Sequence, residues 1–372
     1  MKRMATLFLL IWSLWGSAFG QATEFLAVSP AYRAQASHEE PANSELLRTP
    51  PHCLQDPAGG RPSSLAVAPS GCLYFSTPQC VYEGDTGGHY TLRAVLPPVN
   101  DGVAPPPGLA ADDAGNLFIS DFQLGQVRKV AADGSITVVA GGGNLDPGDG
   151  GPATDARLFH PMGLAVDSAG TLYIGESGKN RVRRVSPDGT ITTAANLGKN
   201  YMLERIALDK SGNLYIADAS ATRVSKLAAS GELTRLAGTP GASKYSGEGG
   251  PAREATLHPW GVAVNPDGVV YIADANGRIL KITPDGIITT VAGEAGCCFS
   301  GDQGPASDAK IGRPTDVAVD GAGNIYFVDL WGIQPHPNGY SSNSSTLVIR
   351  KISAKDGTIT TVVGGRGVVI TP

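Results

Sequence analysis

The sequence has no surplus of positive charge. Lys and Arg number 29 against 34 Asp and Glu, a formal net charge of −5. A phosphate-binding face gathers Lys and Arg, so this balance argues against nucleic-acid binding. Beyond the first fifteen residues no apolar run is long enough to cross a bilayer, which excludes a later spanning helix. The five cysteines (Cys53, Cys72, Cys80, Cys297 and Cys298) contain no Cys-x-x-Cys and match no zinc spacing. Ser, His and Asp are all present, but the glycine pattern of a nucleophile elbow is not.

What is present begins with an address. Lys2 and Arg3 precede an apolar stretch from Ala5 to Trp15, and Ala18-Phe19-Gly20 supplies small residues for cleavage. This reads as a signal peptide over residues 1–20, followed by an N-terminal extension over 21–60 and a repeat region over 61–372. Losing Lys2 and Arg3 takes the charge from −5 to −7. No cysteine follows the apolar stretch closely, so no lipid anchor is expected, and the mature protein is expected to be secreted or periplasmic and monomeric. Export permits disulfides. Two pairings stand open: a clasp from Cys53 to Cys297 or Cys298, or a local Cys72–Cys80 bridge.

A motif then recurs six times. Its third copy runs from Pro161 to Glu176, and Leu164 has counterparts at Leu65, Leu109, Ile206, Val262 and Val317. A repeat of this period rich in short alternating strands predicts an all-β fold, a six-bladed β-propeller of four-stranded antiparallel blades. In copy three the strands are expected at 163–167, 172–175, 181–185 and 191–194. Glycine recurs at 71, 115, 170, 212, 268 and 323, where the first turn needs positive φ. Alanine recurs at 66, 110, 165, 207, 263 and 318. An aromatic recurs at Tyr74, Phe118, Tyr173, Tyr215, Tyr271 and Tyr326. A small-to-large gradient of this kind fills the wedge between blades that converge on an axis. Every copy contains a fourth strand, so no exchanged strand is needed to lock the ring.

These residues carry a resemblance. Leu214 to Asp218, Asn180 to Val185 and the run Gly148 to Ala153 are similar to NHL repeats of the bacterial exported and teneurin-like branch. The resemblance covers about residues 61–365, with copy one degenerate. It implies a six-bladed propeller and leaves activity open, because the fold hosts binding modules and enzymes.

Function is sought where the repeat is broken. In a four-stranded meander the first-to-second and third-to-fourth turns share one face, and here they are uniformly short. The second-to-third loops and the blade connectors share the other. Three connectors on that face are long, 141–161, 238–259 and 293–314, as is the loop 330–346. Long loops on a rigid scaffold are the usual place for a site, and the clustering points toward blades five, six and one. The connectors share acids at Asp149, Glu248 and Asp302. These read as structural, because one acid per glycine run is too few oxygens for calcium.

The second strand ends in an acid in five copies: Asp121, Glu176, Asp218, Asp274 and Asp329. Arg181, Arg223 and Arg278 are placed to pair with three of them. Asp329 has no such neighbour and reads as a solvated surface group beside Trp331, His336 and Tyr340. The expected reading is an exported recognition scaffold, more readily a binding module than an enzyme, holding a protein, peptide or glycan on the long-loop face. Trp260, Trp331 and Tyr340 serve as apolar anchors, and Arg61, Arg313, His160, His258 and Asp329 as polar contacts. No cofactor is expected on this reading. The alternative is a metal-dependent lyase or lactonase at the channel mouth, with zinc or calcium. His160 and His258 would be its ligands, in the manner of the propeller lyase that processes peptidyl-hydroxyglycine; a calcium lactonase would use Glu204 and Asp316. Arg61 stands where the lyase arrangement needs a third histidine and cannot ligate a metal.

Overall fold

The computed structural model describes residues 64–68, 71–77, 80–84, 89–95, 107–198, 203–241, 245–295, 300–331, 346–364 and 369–370. Six antiparallel meanders follow one another at 64–95, 109–141, 161–196, 203–237, 259–292 and 313–363, each with its four strands in chain order. The innermost strands touch in ring order, and the last, Arg313–Val319, packs on the first, Ser64–Val67. The fold is therefore the six-bladed propeller that the repeats predict.

In blade three the strands are Pro161–Val166, Leu172–Glu176, Arg181–Val185 and Ile191–Asn196, within two residues of expectation. The repeat alanine and the repeat aromatic turn out to be direct cross-strand partners in every blade. The pairs are Ala66↔Tyr74, Ala110↔Phe118, Ala165↔Tyr173, Ala207↔Tyr215, Ala263↔Tyr271 and Ala318↔Tyr326. One small and one large side chain opposite each other fill a wedge that two large ones would overfill. Gly170, at φ 83°, closes the first turn of blade three in the left-handed region.

The connectors depart from expectation. They leave on the long-loop face but do not stay there. Each runs down the outer edge of the blade that it enters. Pro152 bridges Thr190, Pro251 bridges Ile287, and Pro305 bridges Thr358, all beside third-to-fourth turns on the opposite face. On the way they bury Ala153, Ala156 and Leu158, then Ala252, Ala255 and Leu257, then Ala306, Ala309 and Ile311 in three core clusters. Leu158, Leu257 and Ile311 each contribute roughly 1.5–3 kcal/mol by burial. The connectors are straps that seal blade seams and cover outer edge strands, and this use explains their length.

The connector acids belong to the same device, as expected. Asp149 accepts from Arg183 (2.7 Å) and Thr193 Oγ1 (3.2 Å). Glu248 accepts from Thr290 N (2.9 Å), and Asp302 from Arg350 (2.8 Å) and Thr361 N (3.2 Å). Ring closure also differs from expectation: a fifth strand, Val369–Ile370, adds in parallel to His89–Tyr90 on the outer edge of blade one.

Candidate functional site

The candidate site lies where blades four, five and six open onto the long-loop face. His258 ends a strap and enters blade five. Its N–H donates to Asp274 Oδ1 (3.2 Å), and its carbonyl accepts from Ala275 N (2.9 Å). Two residues on, the Trp260 ring meets the His258 imidazole edge-on at 6.3 Å. Arg313 begins blade six, is exposed, and lays its guanidinium 4.9 Å from the centre of the Trp260 ring. Burial lowers the His258 pKa, and Arg313 lowers it further against the pull of Asp274. The structure thus brings His258, Trp260 and Arg313 together.

His160 stands apart from this trio. It stacks on Phe122 at 4.2 Å, exposed, with its pKa lowered by partial burial. Beside it Phe159 is flanked by Arg157 (4.7 Å) and Lys179 (4.3 Å). Phe122 and Phe159 lie in loops with no repeat register, so no periodic signal marked them. Arg61, Tyr340, Cys53, Cys297 and Cys298 lie outside the described residues, and of Trp331 only the backbone is described. Cys72 is a free thiol, so the local Cys72–Cys80 bridge is not formed.

Asp329 corrects the expectation most plainly. It is fully buried rather than solvated. It accepts from Gly312 N (2.9 Å) and faces Arg350 Nη1 at 3.6 Å, a partner 21 residues away in sequence (350 − 329) and invisible to local spacing. Burial pushes its pKa up to about 6 against the pull of Arg350. Asp329 is therefore a structural group and not a contact of the open face.

Two of the expected pairs form: Glu176 with Arg181, and Asp218 with Arg223 at 3.1 Å. The third does not. Arg278 turns to Gly293 O (3.1 Å) and the Tyr245 ring (5.0 Å). Asp274 is left fully buried, with burial raising its pKa.

At the channel mouth the innermost strands carry glycine at 108, 163 and 261, but Ser64, Arg205 and Asp316 at the same position in blades one, four and six. These three are joined. Arg205 Nε donates to Asp316 Oδ2 (3.1 Å), which also accepts from Ser64 Oγ (2.9 Å) and Leu65 N (3.2 Å). The tie spans blade four to blade six past Gly261, which places no side chain between them. Asp316 is thus already engaged. Among the described residues no three His, Cys, Asp or Glu side chains converge as a metal site, and His160 and His258 have separate surroundings.

A family model for the teneurin NHL domain matches residues 147–300. Teneurin-4 of Mus musculus is 31% identical over 281 residues, covering 61% of this chain. The chain is an NHL-repeat propeller. The matched stretch spans 10% of the length of the mouse protein. Among solved structures, an auxiliary nutrient binding protein from Bacteroides thetaiotaomicron aligns at TM-score 0.54 and 16% identity, covering 78% of this chain and 69% of its own. A streptogramin B lyase aligns at TM-score 0.50 and 18% identity, covering 83% and 84%. At such identities these two share the fold alone with the NHL propeller. Among the described residues of the NHL propeller, no helix is long and apolar enough to cross a membrane.

One mouth residue in this NHL propeller stays unengaged. Glu204, just before Arg205, is displaced from the ladder by the irregularity between Leu203 and Arg205. Its carboxyl accepts no hydrogen bond among the described residues, and burial pushes its pKa up to about 7, with Arg205 opposing and Asp218 and Asp316 adding to the rise. Between about pH 4.5 and 7 the folded state keeps a proton that the unfolded chain has lost, so stability falls as pH rises through that window. Glu204→Gln removes the cost. The variant is expected to be more stable by about 1–3 kcal/mol at pH 8 and equal to the parent at pH 4, measured by urea denaturation. A difference that does not change with pH would contradict this assignment.

Proposed function

We propose that the protein is a recognition scaffold, working outside the cytoplasm after removal of its leader, that binds a protein, peptide or glycan on the long-loop face at blades four to six. The observation that carries this reading is the cluster of His258, Trp260 and Arg313. Elsewhere Arg183 and Arg350 are spent on internal ties to the strap acids Asp149 and Asp302, and the straps are spent on seams. Here a half-buried indole, an exposed guanidinium and an imidazole lie together without an ion pair among the described residues. Indole and guanidinium are the side chains that most often anchor interfaces. The similarity to teneurin NHL domains, a tenth of a much longer chain, fits a module that presents a surface.

The test is comparative capture. Immobilised protein and a Trp260→Ala/Arg313→Ala variant are offered the same extracellular or periplasmic fraction. A partner held by the parent is expected to weaken by roughly 2–4 kcal/mol in the variant. Equal retention by a variant with an unchanged melting curve would refute the reading.

A further inference from the structure

The group that the internal ties leave over is Glu204. Around the mouth three carboxylates, Glu204, Asp218 and Asp316, interact electrostatically. Among the described residues two guanidiniums pair with them, and both are committed: Arg223 to Asp218 at 3.1 Å, and Arg205 to Asp316 at 3.1 Å. The second hand of Arg205, Nη1, is spent on the backbone carbonyl of Glu204 at 3.1 Å rather than on its carboxylate. Among the described residues one negative charge therefore remains without a hydrogen-bonded counter-ion, half-buried at the mouth, where an unpaired charge is costly.

Its neighbours suit a cation. Trp260 holds the same inner-strand position on blade five, and its ring already carries the Arg313 guanidinium at 4.9 Å, so that indole is shown to seat this group. Thr315 holds the same position on blade six, and its buried Oγ1 has no hydrogen-bond partner among the described residues. An open carboxylate, an indole and a spare hydroxyl occupy consecutive blades at one height, above the Arg205–Asp316 tie.

We infer that this part of the mouth is a cation-recognition site, in which Glu204 receives a guanidinium or ammonium group of the ligand beside the Trp260 indole. The inference rests on the long-loop face being the binding face, and it names the chemistry that the face selects. A neutral donor would satisfy the hydrogen bonds of Glu204 but leave its charge uncompensated beside Asp218 and Asp316. A cation answers both.

The probe is arginine amide acetylated on its α-nitrogen, with citrulline amide acetylated in the same way as its uncharged isostere, titrated at pH 8 while indole fluorescence is followed. Arginine amide is expected to give a saturable change. Citrulline amide, and arginine amide on Glu204→Gln, are expected to bind at least about tenfold more weakly. Lowering the pH to 5.5 protonates Glu204 in the field of Arg205, Asp218 and Asp316 and is expected to weaken arginine amide in the parent but not in Glu204→Gln. Equal responses to arginine and citrulline amides would overturn the inference, as would an unchanged titration in Glu204→Gln or the same response from calcium or magnesium alone. The wider reading fails separately: a partner that survives Glu204→Gln but is lost in the Trp260→Ala/Arg313→Ala variant removes the cation site and leaves the binding face standing.

Discussion

Replacing Arg350 by alanine is expected to lower the stability of the propeller by about 3–5 kcal/mol. The side chain is fully buried. It reaches Asp302 on a strap (2.8 Å), Asp329 on the second strand (3.6 Å), and the carbonyls of Lys310 (3.0 Å) and Ser300 (3.0 Å). Without it Asp329 keeps one backbone donor and no cation among the described residues, and the strap into blade six loses its anchor on the third strand. Urea denaturation at pH 7 measures the loss. Two controls separate charge from packing. Arg350→Met keeps much of the volume and should fall nearly as far. Adding Asp329→Asn to Arg350→Met should recover a large part, because the stranded charge is gone. A loss below about 1 kcal/mol, typical of surface pairs, would show that the arginine is not the buried keystone described above.

The second large effect concerns how closely the blades approach. A Cβ added at Gly108 would lie 1.7 Å from the carbonyl oxygen of Met162 on the next blade, and one at Gly261 would lie 2.8 Å from the Cα of Asp316. Backbone cannot step aside as a flexible side chain can. Gly108→Ala is therefore expected to cost about 2–4 kcal/mol, at or above the usual range for overpacking. Gly151→Ala is the matched control. Its nearest neighbour would be 3.5 Å away, and its change should stay within about 0.5 kcal/mol. Thermal or urea unfolding of the pair reads the difference. If the two alanines behave alike, blade two is not seated against blade three as described.

The parts of this molecule that were legible in its sequence are those that the repeat writes six times. The facing alanine and aromatic could be read because strand alternation and blade convergence act alike in every copy. The turn glycines were legible for the same reason. The path of the straps was not, because nothing in a glycine-rich loop says whether it arches over a face or folds down an edge. That is settled by which edge strand needs covering. Local spacing found Arg181 and Arg223, which sit five residues from their acids. It missed Arg350, which reaches Asp329 only through strand pairing, and it misassigned Arg278, whose guanidinium takes Tyr245 instead.

The mouth was half legible. Glu204 and Asp316 break the apolar pattern and could be picked out, and Trp260 and Arg313 fall where their blade positions placed them. Arg205 escaped notice because it stands where neighbouring copies carry glycine, and a substituted glycine reads as degeneracy until its partner is seen. Its tie to Asp316 changes the meaning of both acids. Asp316 is consumed by the ring, while the Glu204 carboxyl has its pKa pushed up by burial and receives no donor among the described residues.

The most direct measurement is hydrogen exchange on the protein with and without a captured partner. The account predicts slowed exchange at residues 203–206, 258–262 and 313–317, with the turns at 112–115, 167–170 and 186–189 unchanged. Protection of those turns, with the mouth of blades four to six exchanging as before, would place recognition on the opposite face and contradict it.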